Sequence, residues 1–400
     1  MKNVNILFMS MLAGVFAFSS CSKWTDVEKI DIETDKITNQ LRERDLKKWA
    51  EEKKLQNDEN KATEQWNKDV AVMYDRYWES VRKYKESDHE IVYGWYAGWS
   101  ATEGMPRSFL SNLPDSVEMV SLWGGTAPYE ENSDKWKDLK YAQKTKGLKV
   151  LLCWQNSSVG LGLPGGRDAI YKKVENMKEE ESLKLYGRPN LSREQRAIVE
   201  YAQELTRFIE KHGLDGYDID YEPYVGDHGG GFHEFTPSSN PNWVNNMKLF
   251  IEEMGKMYGP KSGRKGKILI IDGELNTMNK HFPDMGEYMD YFISQAYYNS
   301  NPSSLQSRYS ECLGIKGFTS EKFIVADEFE KNGGWTTGGG SSADAVKNGT
   351  THAERKAAWK PTGSKRKGGW AAYHIELEYP ANYKYVRKVI QIQNPTKYRP

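Results

Sequence analysis

The fold of this chain is decided by the stretch Gly213-Leu214-Asp215-Gly216-Tyr217-Asp218-Ile219-Asp220-Tyr221-Glu222. A helical pattern runs into this stretch and ends at Gly213, and an apolar run with alternating carboxylates follows. Successive side chains of a strand point to opposite faces, so Asp218, Asp220 and Glu222 share one face. Like charges held close in a buried setting raise at least one pKa. The stretch therefore predicts a strand whose acidic face holds a proton for catalysis.

Two other interpretations of the same pattern stay open at this point. The carboxylates would be unremarkable on a solvated strand face, although parallel strands are buried on both faces. Oxygen ligands also suit a hard cation such as Mg²⁺ or Ca²⁺. Catalysis is the favoured interpretation, because a strand that only filled a core would carry Val or Ile in these positions.

Strand-like runs alternate with longer helical patterns from His89 onward, which indicates repeated βα units and a parallel sheet. The predicted fold class is therefore α/β, a (β/α)8 TIM barrel preceded by an N-terminal helical arm. Ser192 to Gln195 forms a capping-box pattern that begins the helix before the fourth strand. The eight predicted strands are Glu90–Tyr96, Val117–Trp123, Leu148–Trp154, Gly216–Tyr221, Ile268–Asp272, Tyr291–Tyr297, Phe323–Asp327 and Gly369–His374.

The N-terminal residues are typical of a bacterial export signal. Lys2 precedes a short apolar run, and Phe18-Ser19-Ser20-Cys21 resembles a lipobox. We expect residues 1–20 to be a signal peptide and the thiol of Cys21 to carry a lipid, giving an outer membrane lipoprotein that faces the periplasm or the cell surface. An ordinary cleaved signal with an odd cysteine is the alternative. Cys153 and Cys312 then remain, either paired or as two reduced buried cysteines.

Residues 21–88 are predicted to form the helical arm that follows the lipid anchor, and residues 89–400 to form the catalytic barrel. An apolar stripe at three- and four-residue spacing supports the helix, and a partner-binding coiled coil is the weaker alternative. The stripe consists of Trp66, Val70, Met73, Tyr77, Val81 and Tyr84. The chain has 56 Lys and Arg residues and 56 Asp and Glu residues, so its formal net charge of zero does not attract it to nucleic acid. The mean hydropathy of −0.78 argues against a bundle of membrane helices.

The pattern Asp-Gly-x-Asp-x-Asp-x-Glu of Asp215 to Glu222 resembles the fourth-strand signature of family-18 glycoside hydrolases. Gln295-Ala296-Tyr297-Tyr298-Asn299 is similar to the sixth-strand element of that family, and strand alternation predicts Gln295, Tyr297 and Asn299 on one face. Gly368-Gly369-Trp370-Ala371-Ala372-Tyr373 resembles the last strand, Gly-Gly-x-x-x-Trp. The resemblance covers the chain from about Glu90 to the C-terminus.

The chain departs from the chitinases of the family in several places. Tyr373 stands where chitinases usually carry Trp, and the third strand ends in Cys153-Trp154-Gln155-Asn156 instead of Ser-x-Gly-Gly. The spacing between Asp327 and Gly369 is too short for the α+β insertion of many processive chitinases. These departures favour an endo-β-N-acetylglucosaminidase over a chitinase. His374 is either a polar lining residue or a core histidine satisfied by a neighbour.

The resemblance implies substrate-assisted, retaining hydrolysis without a metal or cofactor. Glu222 would be the acid/base, Asp220 would orient the acetamide, Asp218 would share the proton of Asp220, and Tyr297 would donate to the acetamide oxygen. Asp215 is expected to be structural. The implied partner is an N-glycan or another GlcNAc-containing glycan, with a chitinase or a non-catalytic surface glycan-binding protein as alternatives. The residues expected to contact the sugar are Gln295, Asn299, Tyr373 and Trp154.

Overall fold

Eight parallel strands close into a barrel in the computed structural model of this chain, which describes residues 59–224, 233–340, 346–347 and 349–395. The strands follow one another around the barrel in chain order, and the last pairs with the first. Strand alternation sends every second side chain toward the axis, where Tyr93, Trp95, Cys153 and Ile270 belong to one buried cluster. The predicted (β/α)8 barrel is confirmed.

The barrel strands lie within two residues of the predicted positions at nearly every end, with the sixth as the exception. They are β1 (Ile91–Ala97), β2 (Met119–Trp123), β3 (Lys149–Gln155), β4 (Gly216–Tyr221), β5 (Ile268–Gly273), β6 (Tyr291–Ser294), β7 (Phe323–Glu328) and β10 (Gly369–Tyr373). Between the last two barrel strands, β8 (Val346–Lys347) and β9 (Thr350–Thr351) form a small antiparallel pair.

The α-helices of the described residues mostly lie between the barrel strands. They are α1 (Glu59–Lys85), α2 (Asp134–Lys144), α3 (Gly166–Val174), α4 (Glu179–Tyr186), α5 (Arg193–His212), α6 (Trp243–Met254), α7 (Leu275–His281), α8 (Pro302–Ser310), α9 (Gly334–Thr337), α10 (His352–Ala358) and α11 (Lys384–Gln393).

Both ends of α5 follow from the sequence. The Ser192 hydroxyl accepts the N–H of Gln195, and the Gln195 side chain accepts the N–H of Ser192, so the predicted capping box is present. Gly213 ends the helix at φ 68°, a left-handed conformation that costs glycine little. This ending aims the chain directly into β4 and its carboxylates.

The barrel lies in a compact unit of Asp88–Val389, and the described residues 59–87 and 390–395 belong to a second unit. In the second unit, α1 confirms the helical part of the predicted arm, and Tyr77 and Val81 of the apolar stripe are buried. Cys21, the predicted signal peptide and the first part of the arm lie outside the described residues. No helix of the described part is both long and apolar enough to cross a membrane.

Strand β6 is shorter than predicted, because the chain turns directly after Ser294. The N–H of Ala296 donates to the carbonyl of Ser294 at 2.8 Å, and the N–H of Asn299 donates to that of Ala296 at 3.2 Å. Pairing with β5 stops at Gly273, whose φ of 99° ends that strand. The prediction that alternation continues as far as Asn299 is therefore wrong, since the residues after Ser294 are not extended.

Both cysteines of the described residues are buried and free, so they do not pair. Cys153 faces the barrel interior, while the Cys312 thiol donates to the carbonyl of Arg308 at 3.3 Å. Asp215 has the structural role expected of it. Its carboxylate accepts hydrogen bonds from Lys149, Gln143 and the N–H of Val150, which ties the start of β4 to its neighbours.

Candidate active site

Strand β4 carries the acidic face as predicted. Asp218 and Asp220 are buried, and Glu222 follows the end of the strand, where it is partly exposed at the barrel mouth. The C-terminal ends of barrel strands are where catalytic residues of this fold lie. The strand thus aligns the three carboxylates in a column, with Asp218 in the closed core and Glu222 at the open end of the barrel.

Asp218 is held at the bottom of this column by three donors. The Tyr93 hydroxyl, the Trp95 indole N–H and the Ser121 hydroxyl all donate to its Oδ2, the last two at 2.9 and 3.1 Å. These donors come from β1 and β2, so they hold the aspartate from across the barrel interior. Burial raises the pKa of Asp218, although the hydrogen bonds from Tyr93 and Ser121 oppose that rise.

Asp220 lies above Asp218 on the same face of β4 and has a strongly raised pKa. Burial raises its pKa well above the ordinary value, and the charges of Glu222 and Asp218 raise it further. The expectation that close carboxylates raise at least one pKa is confirmed. The group can therefore retain a proton at a pH at which exposed aspartates are ionised.

Asp272 at the end of β5 is a functional candidate that the sequence reasoning missed. It lies directly beside Asp220 in the parallel register and is fully buried. Burial raises its pKa well above normal, as do the neighbouring Asp220 and Asp218. The available signal was a carboxylate at the C-terminal end of the apolar run Ile268–Ile271, in the same place as the acids of β4.

The predicted sugar-contacting residues divide into two groups. Gln295 donates to Asp272 Oδ1 at 2.7 Å, and burial raises the pKa of Tyr297, with further contributions from Asp272 and Asp220. Tyr373 packs against Tyr297, Trp95 and Trp123. The structure therefore brings Gln295, Tyr297 and Tyr373 together with the aspartates.

Trp154 and Asn299 are placed differently. Trp154 lies on the face of β3 opposite to Cys153, beside Gly125 and Gly162, with its ring 6.4 Å from that of Trp123. The Asn299 side-chain oxygen accepts the N–H of Asn301. Sugar contacts by these two residues stay predictions. His374 is satisfied by a neighbour, since its Nδ1 lies 2.8 Å from Glu376 Oε1.

An open groove of about 510 Å³ lies beside Glu222. Ser294, Gln295, Arg308 and Glu311 are among the residues that line it. The Gln155 amide, at the end of β3, donates to Glu222 Oε2 at 3.4 Å. A partly exposed acid beside a polar groove has access to a bound polymer, as a general acid requires.

The cation alternative is not favoured by the donor atoms. Cys153, Asp218 and Asp272 place potential ligand atoms within 4.8 Å of one another. Burial raises the pKa of the Cys153 thiol well above normal, which favours the protonated form, and Mg²⁺ and Ca²⁺ prefer oxygen ligands. The cluster therefore suits proton storage better than binding of these ions.

A closed parallel barrel with an Asp-x-Asp-x-Glu strand that ends beside an open polar groove is typical of a glycoside hydrolase. The sequence profile described as Glycoside hydrolase family 18, BT1044-like matches residues 56–392. The chain belongs to this family.

Three relatives give the scale of the similarity. Endo-beta-N-acetylglucosaminidase F2 of Elizabethkingia meningoseptica is 26% identical over 333 residues, which are 78% of this chain and 84% of that protein. A solved BT1044 structure is 29% identical, with a TM-score of 0.63 over 80% of this chain and 93% of that one. An endo-beta-N-acetylglucosaminidase from Cordyceps militaris, 20% identical, shares the fold, with a TM-score of 0.56 over 80% and 96% of the two chains.

Proposed function

We propose that this protein is an endo-β-N-acetylglucosaminidase that hydrolyses the GlcNAc-β-1,4-GlcNAc core of N-glycans. The observation that supports the proposal most is the placement of Glu222 at the open barrel mouth, directly above the buried pair of Asp218 and Asp220. The similarity to the F2 enzyme of Elizabethkingia meningoseptica supports the same activity.

In the proposed mechanism the Glu222 carboxyl protonates the glycosidic oxygen, while the C2-acetamide oxygen of the sugar attacks C1. The C1–O bond breaks, and an oxazolinium ion forms. Asp220 accepts the acetamide N–H and stabilises the positive charge that develops there, while Tyr297 donates to the acetamide oxygen. Water then attacks C1, the bond between C1 and the acetamide oxygen breaks, and the water loses its proton to Glu222. This restores the acid and the acetamide and gives net retention.

The N-acetyl group of the substrate is therefore expected to be essential. Two glycopeptides are compared that differ only in whether the sugar on the non-reducing side of the cleaved bond carries an acetamide or a free amine. The acetamide form is cleaved, and the amine form is not, because it lacks the attacking oxygen. Product masses measure the outcome, and cleavage of the amine form at a similar rate contradicts this mechanism.

A second digestion separates the proposed function from its alternatives. Wild-type protein is incubated in parallel with a glycoprotein that bears several N-glycan types and with chitin oligomers, and the products are weighed. Release of glycans with one GlcNAc left on the protein supports the proposal. Cleavage of chitin oligomers alone identifies a chitinase, and binding without cleavage identifies a glycan-binding protein.

We also propose that the mature protein is tethered to the outer membrane through a lipid on Cys21. The lipobox-like Phe18-Ser19-Ser20-Cys21 carries this proposal. Cys21→Ser is expected to abolish incorporation of labelled palmitate and to move the protein from the membrane to the soluble fraction. Cys312→Ser, which changes a buried cysteine far along the chain, is the matched control and keeps the label. An unlipidated wild-type N-terminus in intact-mass analysis contradicts the tether.

A further inference from the structure

Three buried aspartates below the barrel mouth each keep one carboxylate oxygen without a hydrogen-bond partner among the described residues. These oxygens are Asp218 Oδ1, Asp220 Oδ1 and Asp272 Oδ2. A buried acceptor that receives no donor is costly, and for a charged carboxylate the cost is larger still. Since the three groups are neighbours, the least costly solution is for protons to lie between them.

The positions of the strands bring these oxygens together. Asp272 is the register partner of Asp220 on the adjacent strand, and Asp218 lies two residues before Asp220 on its own face. One carboxylate oxygen of Asp272 and one of Asp218 lie within 4.8 Å of each other. Asp220 is therefore flanked by a carboxyl below it and a carboxyl beside it.

The other oxygen of Asp272 has a separate partner. Asp272 Oδ1 accepts the Gln295 amide at 2.7 Å, and Gln295 lines the groove next to Glu222. The Asp272 carboxyl thus lies beside Asp220, which is proposed to hold the acetamide, and also accepts a hydrogen bond from the Gln295 amide at the groove.

We propose that Asp272 is a positioning residue that shares protons with Asp220 and Asp218 and orients Gln295. This role rests on the proposed function and extends it. In the resting protein the three carboxyls hold protons between them, and Asp272 keeps one when Asp220 turns its negative charge toward the acetamide N–H. Several titratable groups face this trio. They are Glu222 after β4, Cys153 from β3, Tyr93 from β1, Tyr373 from β10 and Tyr297 after β6.

Asp272→Asn is the informative substitution, because asparagine keeps an oxygen for Gln295 but holds no exchangeable acid proton. A proton retained by the folded state is released on unfolding, where an aspartate has its ordinary pKa. We expect unfolding at pH 7 to release about one proton fewer in D272N than in wild type, measured from the pH dependence of denaturation. This measurement needs no glycan, so it stands even where the proposed function fails.

Asp290→Asn is the matched control. Asp290 is a partly buried carboxylate at the opposite end of the barrel, where it accepts the N–H of Leu269, and desolvation raises its pKa to about 6. It is thus mostly ionised at pH 7, and D290N is expected to leave the proton count nearly unchanged. An equal proton count in D272N and wild type overturns the proposal, as does an equal loss in both variants.

The kinetic arm tests the positioning role. The asparagine N–H donates to the Asp220 carboxylate and lowers its pKa, so the acid limb of kcat/KM moves to lower pH in D272N. We expect kcat to fall on the order of tenfold with a smaller change in KM, since the acetamide is held less precisely. Asp272→Ala, which also removes the partner of Gln295, is expected to lower kcat further. An unshifted acid limb and an unchanged kcat in D272N contradict the role.

Discussion

Glu222→Gln is expected to abolish glycan hydrolysis while leaving glycan binding nearly unchanged. Glutamine has the size of glutamate and retains an oxygen for the Gln155 amide, which lies 3.4 Å from Glu222 Oε2. It has no acidic proton for the glycosidic oxygen and cannot later accept one from water. Loss of general acid–base catalysis lowers kcat by about 10²–10⁴-fold. The rate is measured from product masses with a glycopeptide substrate, and binding is measured by calorimetry.

The control for this substitution is Glu321→Gln. Glu321 is an exposed glutamate in the short segment that precedes β7, at the barrel end away from the groove. The same chemical change there is expected to leave both kcat and the dissociation constant as in wild type. Full activity of E222Q contradicts the acid assignment. Loss of both binding and folding in E222Q, read from its denaturation curve, contradicts the view that Glu222 acts only in the chemical step.

The acids of β4 were predictable because strand alternation is a local rule. Asp218, Asp220 and Glu222 lie two residues apart, so one strand suffices to align them. Asp272 lies 52 residues after Asp220, and only the register between β4 and β5 brings the two carboxyls together. Sequence spacing within one segment carries no information about such a register, so this neighbour emerged from the structure alone.

The barrel was predictable from alternating patterns, whereas the end of β6 was not. The run Tyr291–Tyr297 is rich in apolar and aromatic residues, with Ser294 and Gln295 as its polar positions, and this composition favours a strand. The strand nevertheless ends at Ser294, because β5 ends at Gly273 and β7 pairs only as far as the partner of Ser294. Beyond that point the chain has no sheet partner and turns, which leaves Tyr297 beside the aspartates and Asn299 in the turn.

A buried ion pair outside the candidate site gives the largest expected effect on stability. Lys356 Nζ on α10 lies 2.5 Å from Asp327 Oδ1 on β7, and both side chains are 0% exposed. Lys356 also donates to the carbonyl of Ala326, and the Trp370 indole donates to Asp327 Oδ2 at 2.6 Å. The pair joins α10 to β7 and, through Trp370, to β10.

Lys356→Met is expected to lower the free energy of unfolding by about 3–5 kcal/mol, because it leaves the Asp327 carboxylate buried without its counter-charge. Adding Asp327→Asn removes that charge and keeps an oxygen for the Trp370 indole. The double variant is therefore expected to recover about 2 kcal/mol or more of the loss. Chemical denaturation measures the free energy of unfolding of wild type, K356M and the double variant. At denaturant concentrations well below the unfolding transition, kcat of both variants stays as in wild type, since neither residue lies in the groove. A double variant less stable than K356M contradicts the electrostatic origin of the loss and assigns it to packing of the lysine side chain.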